Sequence, residues 1–129
     1  MSLPQGWIQN KSVRTLIPNS TNASFLNQEF CQFEVVIGFE ADSFLKSRKE
    51  EWQMLFADAK STEFKKWADY EGEGFEIEGK VEGDLPYRKR LFRFYKQGRV
   101  CVIVESASLE NFNKYAADFK VMRQTFKLK

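Results

Sequence analysis

The chain has 129 residues, of which 43% are apolar and 29% charged, a composition typical of one folded domain with its own core. Its 20 basic and 18 acidic residues leave a net charge of +2, so no field of one sign favours nucleic acid as a partner. The absence of histidine excludes Ser-His-Asp and Cys-His catalysis and every zinc site that uses imidazole. No window approaches the roughly 18 apolar residues of a membrane span. We therefore expect a single domain over residues 1–129, with no cofactor and no metal.

The first part of the chain predicts a loop, a strand and a helix. Residues 1–3 are interpreted as an artificial start, and whether an export signal has been removed stays open. Residues 19–22, Asn-Ser-Thr-Asn, predict a loop. Residues 31–39 alternate apolar and polar, which predicts a strand with one buried face. Residues 43–60 carry apolar side chains at three- and four-residue spacing, which predicts the first helix.

The second part predicts further strands and a closing helix. The predicted strands are residues 64–70, 75–81, 87–95 and 99–105. The predicted turns between them are residues 71–74, 83–86 and 97–98. The predicted closing helix spans residues 109–126, with Ser106 or Ser108 as its N-cap. Residues 100–104 are apolar on both faces, so we expect their strand in the middle of a sheet. Short hairpins make the strands antiparallel. The predicted fold class is α+β, an antiparallel sheet of about five to six strands with two main helices packed against it.

Charged residues alternate along two neighbouring predicted strands. Acidic residues recur in residues 71–82 and basic residues in 88–93, which predicts cross-strand ion pairs on a solvated face. An enzymatic alternative would use a carboxylate pair among Glu76, Glu78 and Glu82. A second alternative, single-stranded nucleic acid on the basic stripe, is weakened by the neighbouring acids. We favour a protein that is not an enzyme and does not bind nucleic acid.

Both cysteines lie in predicted strands, at Cys31 and Cys101. We expect free, buried thiols, although the spacing leaves a disulfide open.

Aromatic residues are abundant, with 13 Phe, 4 Tyr and 3 Trp. Two helices cover only part of a sheet of this size, so one face is free to form an apolar groove for a partner. The residues predicted to bind that partner are Leu91, Phe92, Phe94, Tyr95 and Trp67. The alternative is a domain packed on both sides, with these rings in its core.

Four short segments resemble DcrB-type domains. They are Pro4-x-Gly6-Trp7 with Ser12 and Leu16, Trp52-Gln53-Met54-Leu55, the strand of residues 99–106, and Phe119-x-x-Met122-x-x-Thr125-Phe126. The likeness spans nearly the whole chain, and its motifs are mostly apolar. DcrB-type domains share the PsbP-like fold with the PsbP proteins of photosystem II and a Ran-binding protein of yeast.

The resemblance implies an antiparallel sheet with helices against it and no catalytic residues. Family members include exported bacterial proteins of unknown role and cytoplasmic chaperone-adaptors of type VI secretion, thought to shield transmembrane segments of effectors. We therefore expect a non-catalytic bacterial interaction module that holds a protein partner or an apolar peptide segment. The alternative is an exported domain that binds a small molecule or lipid. Homodimer formation and the compartment, cell envelope or cytoplasm, stay open.

Overall fold

The computed structural model describes residues 3–9, 20–38, 44–67, 70–81, 83–96 and 98–125. The strands are β1 (Ile8–Gln9), β2 (Ser20–Leu26), β3 (Gln32–Gly38), β4 (Ala57–Trp67), β5 (Tyr70–Val81), β6 (Leu85–Lys96) and β7 (Arg99–Ser108). The helices are α1 (Phe44–Leu55), α2 (Leu109–Lys114) and α3 (Ala116–Thr125).

All described strands join one antiparallel sheet in the order β1-β2-β3-β7-β6-β5-β4. After β3, helix α1 carries the chain to the far edge, where β4 begins a four-stranded meander. The meander ends with β7 between β6 and β3. This arrangement confirms the α+β class and the central position expected for residues 100–104. The described part contains seven strands and three helices, rather than five to six strands and two helices.

The two strands that the sequence did not predict, β1 and β2, lie at the N-terminal edge of the sheet. Residues 20–22 were predicted to be a loop because they are polar, and instead they belong to β2. All seven residues of β2 are paired in register with β3, from Ser20 opposite Gly38 to Leu26 opposite Gln32. Tertiary pairing therefore outweighs the local preference for a turn.

Helix α1 ends at Leu55, five residues before the predicted end, and β4 begins at Ala57. Phe56 is buried between them and packs against β5. A Cβ atom on Gly79 would lie 2.7 Å from the Cβ of Phe56, so the chain crosses β5 closely where the helix ends. The helical spacing continues past this point, but the pairing of β4 with β5 decides the local structure.

The Glu-Gly-Glu-Gly segment of residues 71–74 lies inside β5 and is not the predicted turn. A Cβ atom on Gly74 would lie 2.5 Å from the carbonyl oxygen of Leu91 and 2.7 Å from the ring of Phe92. Glycine inside a strand often marks such a close approach of neighbouring groups. The pattern that resembled a turn therefore reflects packing against β6.

Helices cover both faces of the sheet, which we call the α1 face and the α2/α3 face. The core on the α1 face contains Val36, Trp52, Phe56, Phe75, Ile77, Leu91, Val102 and Val104. The core on the α2/α3 face contains Trp7, Cys31, Phe33, Val35, Trp67, Phe92, Phe94, Cys101, Ile103, Ala107, Phe112, Phe119 and Met122. The predicted C-terminal helix is divided at Tyr115, and the Ser108 hydroxyl accepts the amide hydrogen of Asn111, as expected for its N-cap.

Candidate functional site

The structure buries four of the five residues predicted to bind a partner. Leu91 lies in the core of the α1 face, and Phe92, Phe94 and Trp67 lie in the core of the α2/α3 face. Within that core, the Phe92 ring stacks on the Phe64 ring with 5.5 Å between the ring centres and meets the Trp67 ring edge-to-face at 5.6 Å. The sequence could not show that a further helix would cover the second face. Among the five, only Tyr95 is exposed, with 62% of its surface accessible.

Tyr95 lies at the end of β6, beside two charged residues. Arg93 donates to the hydroxyl of Tyr95 at 3.0 Å and to the carboxylate of Glu73 at 3.1 Å. The guanidinium also lies 5.4 Å from the centre of the Tyr95 ring. The exposed ring is therefore held in a defined orientation next to the end of β5.

A cleft of about 360 Å³ lies between α1 and strands β4 and β5, and we call it the β4–β5 cleft. Its lining residues are Lys49, Glu63, Phe64, Lys65, Glu73, Gly74 and Phe75. The pairing of β4 with β5 shifts register between Phe64 and Lys66, where Gly72 and Glu73 of β5 lie opposite the single residue Lys65 of β4, so β5 carries the extra residue. A bulge of this kind re-aims a side chain, here at the rim of the cleft.

An ion pair joins the two walls of the β4–β5 cleft. Lys49 of α1 donates to Glu63 of β4 at 2.5 Å. This hydrogen bond lowers the pKa of the Glu63 carboxyl from its usual value. The pair holds the helix against the edge strand on the α1 face, to which Phe75 belongs, whereas the ring of Phe64 packs on the opposite face against Phe92.

Strand β4 forms one edge of the described sheet, and β1 forms the other. It is eleven residues long, and its side chains are exposed except near its end, at Phe64 and Trp67. A sheet edge presents unpaired backbone amide and carbonyl groups that can pair with another extended chain. Lysine residues along the strand, at positions 60, 65 and 66, are typical of an edge protected against uncontrolled pairing.

A second concavity, about 240 Å³, lies on the other side of α1, and we call it the Lys89 pocket. Its lining residues are Gln32, Glu34, Arg48, Glu51, Trp52, Lys89, Val104 and Ser106. Strands β3, β6 and β7 form its floor, and α1 forms its roof. The ammonium of Lys89 lies 4.9 Å from the centre of the Trp52 ring. Burial lowers the pKa of Lys89, and this effect is opposed by the charges of Glu34 and Glu51.

The predicted basic stripe includes Lys89 together with Arg88 and Arg90. Side chains alternate between faces along a strand, so Lys89 faces the α1 side, whereas its two neighbours face α2 and α3. The period of two was therefore the signal that separates Lys89 from the stripe. Three consecutive basic residues resemble one surface feature, although only the first and third of them share a face.

The predicted cross-strand ion pairs are present. Arg88 binds Glu78, Arg90 binds Glu76 at 2.6 Å, and Arg93 binds Glu73 at 3.1 Å. Glu76 and Glu78, two of the three carboxylates of the enzymatic alternative, are therefore each paired with an arginine. The third, Glu82, lies outside the described residues.

Other chemical features of the described residues are few. Cys31 and Cys101 are buried, free thiols, as predicted. Within the described ranges, no three His, Cys, Asp or Glu side chains are grouped so that they could hold a metal ion. None of the described helices has the length and apolar character needed to cross a membrane.

Comparison with known proteins identifies a shared fold. No family model matches the chain, and no curated protein matches it. The structure is similar to the crystal structure of PA94, a protein of unknown function from Pseudomonas aeruginosa, with a TM-score of 0.58 and 9% sequence identity. The match covers 86% of this chain and 83% of that chain. At this identity, the similarity concerns the fold alone.

Proposed function

We propose that this protein is a DcrB-type, PsbP-like domain that acts as a non-catalytic interaction module of bacterial origin. It holds an apolar segment of a partner protein, in the manner of a chaperone or adaptor. The observation that carries the proposal is the unpaired edge of β4, which runs beside the β4–β5 cleft.

The backbone of β4 supplies the affinity for an extended partner segment. Main-chain hydrogen bonds to an added strand are independent of the partner's sequence, and adjacent pockets select alternate side chains. Residues 60–64 pair regularly with β5, between the two register shifts of the strand. This regular stretch gives an added strand a straight edge of five residues.

The β4–β5 cleft supplies the selectivity for apolar side chains. Phe75 lines it on the α1 face, and its volume of about 360 Å³ accommodates a large apolar side chain from the added strand. The Lys49–Glu63 ion pair crosses the cleft and closes it towards α1. An apolar anchor in a small pocket is the usual source of most binding energy in such interfaces.

Two proline variants of neighbouring β4 residues test this proposal. In an antiparallel strand, the amide of one residue faces the neighbouring strand and that of the next residue faces outward. Of Ser61→Pro and Thr62→Pro, one therefore interrupts the bonds to β5, while the other removes only an outward amide. The variant that removes only an outward amide is expected to keep the melting temperature of the parent protein, so a melting measurement shows which of the two it is.

The binding measurement uses extended apolar peptides selected from a displayed library on the parent protein. We expect backbone amide resonances of β4 and of Phe75 to shift on titration with the peptide, and the folded proline variant to bind at least about tenfold more weakly. The exposed substitution Ser61→Ala is the matched control and keeps full binding. Unchanged peptide affinity in the folded proline variant contradicts the proposal.

The cleft also supports the second candidate, a small-molecule or lipid-binding domain. Its volume lies in the range of ligand pockets, and charged groups of Lys49 and Glu63 stand at its rim. A small ligand would contact the cleft alone, so its binding would be unaffected by the outward-facing proline. The same pair of variants therefore distinguishes the two candidates.

A further inference from the structure

The exposed edge of β4 carries a local excess of positive charge. Lys60, Lys65 and Lys66 are exposed there, and none of the salt bridges among the described residues involves them. The strand has two acids, of which Glu63 is already paired with α1. Three lysines therefore stand beside one further acid, Asp58, although the whole chain carries a net charge of only +2.

The acid that lies opposite Lys60 is bound elsewhere. Lys60 lies directly opposite Glu78 of β5, but the Glu78 carboxylate is bound by Arg88 of β6. Lys66 differs, because it lies opposite Glu71 and so has an acidic neighbour within the sheet. Lys60 therefore remains available to an acid from outside the chain.

Lys65 is the second available cation, and it lines the β4–β5 cleft. The other charged residues of that lining are engaged, because Lys49 binds Glu63 and Arg93 binds Glu73. The charge of Lys65 contributes to lowering the pKa of the Glu63 carboxyl, but the direct hydrogen bond to that carboxyl comes from Lys49. The lining of the cleft thus includes an ammonium that forms no ion pair with a described residue.

Lys60 and the β4–β5 cleft lie on opposite faces of the sheet. Ser61 is directly opposite Ile77 of the core on the α1 face, so the preceding residue, Lys60, faces the other side. The cleft lies on the α1 face, where Lys49 and Phe75 line it. An added strand also alternates between faces, so neighbouring residues of its sequence meet Lys60 and the cleft.

A second copy of β4 is a poor occupant of this edge. It would bring the same lysines to the interface, and like charges on neighbouring strands are destabilising. A segment with acidic residues instead supplies the carboxylates that the edge lacks. Charge complementarity therefore favours an acidic strand from a different protein.

We propose that the β4 edge selects an extended partner segment in which acidic residues alternate with apolar ones. This inference rests on the proposed function, since it names the chemistry of the segment that the same edge and cleft bind. The apolar side chains face the cleft, and the acidic ones meet Lys60 on the opposite face and Lys65 at the rim. The lysines that protect the edge against apolar strands thus admit an acidic one.

Selection from the displayed library measures this preference directly. Peptides are selected in parallel on the parent protein, on the double variant Lys60→Gln, Lys65→Gln, and on Lys120→Gln. Lys120 is exposed on α3, so its substitution is the control for loss of a surface charge away from the edge. We expect several-fold enrichment of acidic residues, alternating with apolar ones, on the parent and the control, and no enrichment on the double variant.

Three synthetic peptides provide the affinities. One alternates glutamate with leucine, and the other two carry glutamine or lysine in place of glutamate. We expect the parent to bind the glutamate peptide about five- to tenfold more tightly than the glutamine peptide, as for two cross-strand ion pairs, and the lysine peptide most weakly. About 1 M salt should bring this ratio close to one, because exposed charges are then screened.

The single variants assign the preference to each lysine. Lys60→Gln and Lys65→Gln should each lower the ratio of glutamate to glutamine affinity by about two- to threefold, with the affinity for the glutamine peptide unchanged. Both positions are exposed, so the fold is retained. Lys120→Gln should leave the ratio unchanged.

The outcomes separate this inference from the proposed function. Peptides that shift the β4 amide resonances without acidic enrichment, or with equal glutamate and glutamine affinities, would overturn the inference and leave the proposed function standing. Absence of any peptide that shifts those resonances would overturn both. Shifts of the β4 amides with protein concentration alone would identify a second copy as the occupant, and oligothymidylate binding as tightly as the glutamate peptide would identify a general polyanion surface. Either result overturns the inference.

Discussion

Arg123 of α3 and the fully buried Glu105 of β7 form an ion pair that fastens the C-terminal helix to the sheet. The terminal nitrogen Nη1 of Arg123 lies 2.9 Å from both carboxylate oxygens of Glu105. The Arg123 guanidinium also lies 4.9 Å from the centre of the Trp67 ring. Arg90, opposite Glu105 on β6, approaches the same carboxylate at 3.8 Å.

Replacing Glu105 with glutamine is expected to change how stability depends on pH. Burial raises the pKa of Glu105 to about 7, although Arg123 and Arg90 oppose the shift. Because this pKa lies above that of the unfolded chain, the folded state holds the proton more tightly. The resulting stabilisation is complete below about pH 4.5 and is lost as the pH rises through 7.

Chemical denaturation of the parent protein and Glu105→Gln at several pH values measures this effect. We expect the difference in unfolding free energy between them to shift in favour of the variant by at most about 1.4 kcal/mol per pH unit between pH 4.5 and 7. Glu110→Gln, on the exposed side of α2, is the control. A difference that does not vary with pH would contradict the prediction.

Removing Arg123 is expected to destabilise the protein more than removing both members of the pair. Arg123→Met leaves the Glu105 carboxylate buried without its main partner, which typically costs about 3–5 kcal/mol. The double variant Glu105→Met, Arg123→Met removes both charges and should recover part of that loss. Urea denaturation at pH 8 measures all three proteins, and a double variant less stable than Arg123→Met would refute the argument.

Gly74→Ala is expected to destabilise the protein by about 1–3 kcal/mol, the usual cost of overpacking. The added methyl group would lie 2.5 Å from the Leu91 carbonyl oxygen and 3.0 Å from the ring of Phe64. Ser61→Ala, at an exposed position of neighbouring β4, should change stability by less than about 0.5 kcal/mol. Equal thermal stability of the two variants would contradict the prediction, because it would show that Phe64 and Phe92 can move apart at little cost.

Phe30→Asn is expected to stabilise the hairpin between β2 and β3 by up to about 1 kcal/mol. Phe30 has a φ of 63° and is 80% exposed, so its ring contributes little packing while its backbone is left-handed. Asparagine tolerates this conformation better than an aromatic residue. Phe30→Ala removes the ring without easing the backbone, and an equal gain in that variant would contradict the explanation.

Both cysteines are expected to react slowly with iodoacetamide in the native protein and rapidly in denaturant. Cys31 and Cys101 are fully buried, and burial also raises the pKa of Cys31, which reduces its thiolate fraction. Mass spectrometry of the alkylated protein counts the modified thiols. Two rapid additions under native conditions, or a mass lower by two hydrogens without reductant, would contradict this expectation.

Periodicity was a reliable guide where a strand has a well-defined burial pattern. The apolar run of residues 100–104 indicated a strand covered on both sides, and β7 is central in the sheet. The alternation of acids and bases indicated ion pairs, and Arg90 binds Glu76 across β5 and β6. Both patterns report the environment of each residue directly, because neighbouring side chains in a strand face opposite sides.

Boundaries depended on contacts that the local sequence does not contain. Phe56 continues the apolar spacing of α1, yet the helix ends before it because Phe56 packs closely against Gly79 of β5. The glycines Gly72 and Gly74 are typical of a turn, yet they lie inside β5, where the absence of a side chain leaves room for the backbone of β6 and the ring of Phe92. In each case, a residue distant in sequence determines the local conformation.

By itself, the sequence determined the fold class, the central strand and the cross-strand charge pairs, since these follow from the period of two in each strand. Only the tertiary structure decided which large side chains keep a free surface. Phe92 and Tyr95 belong to the same strand, but helices cover the first and leave the second exposed. Exposure depends on which elements pack over a face, and that packing is set by long-range contacts.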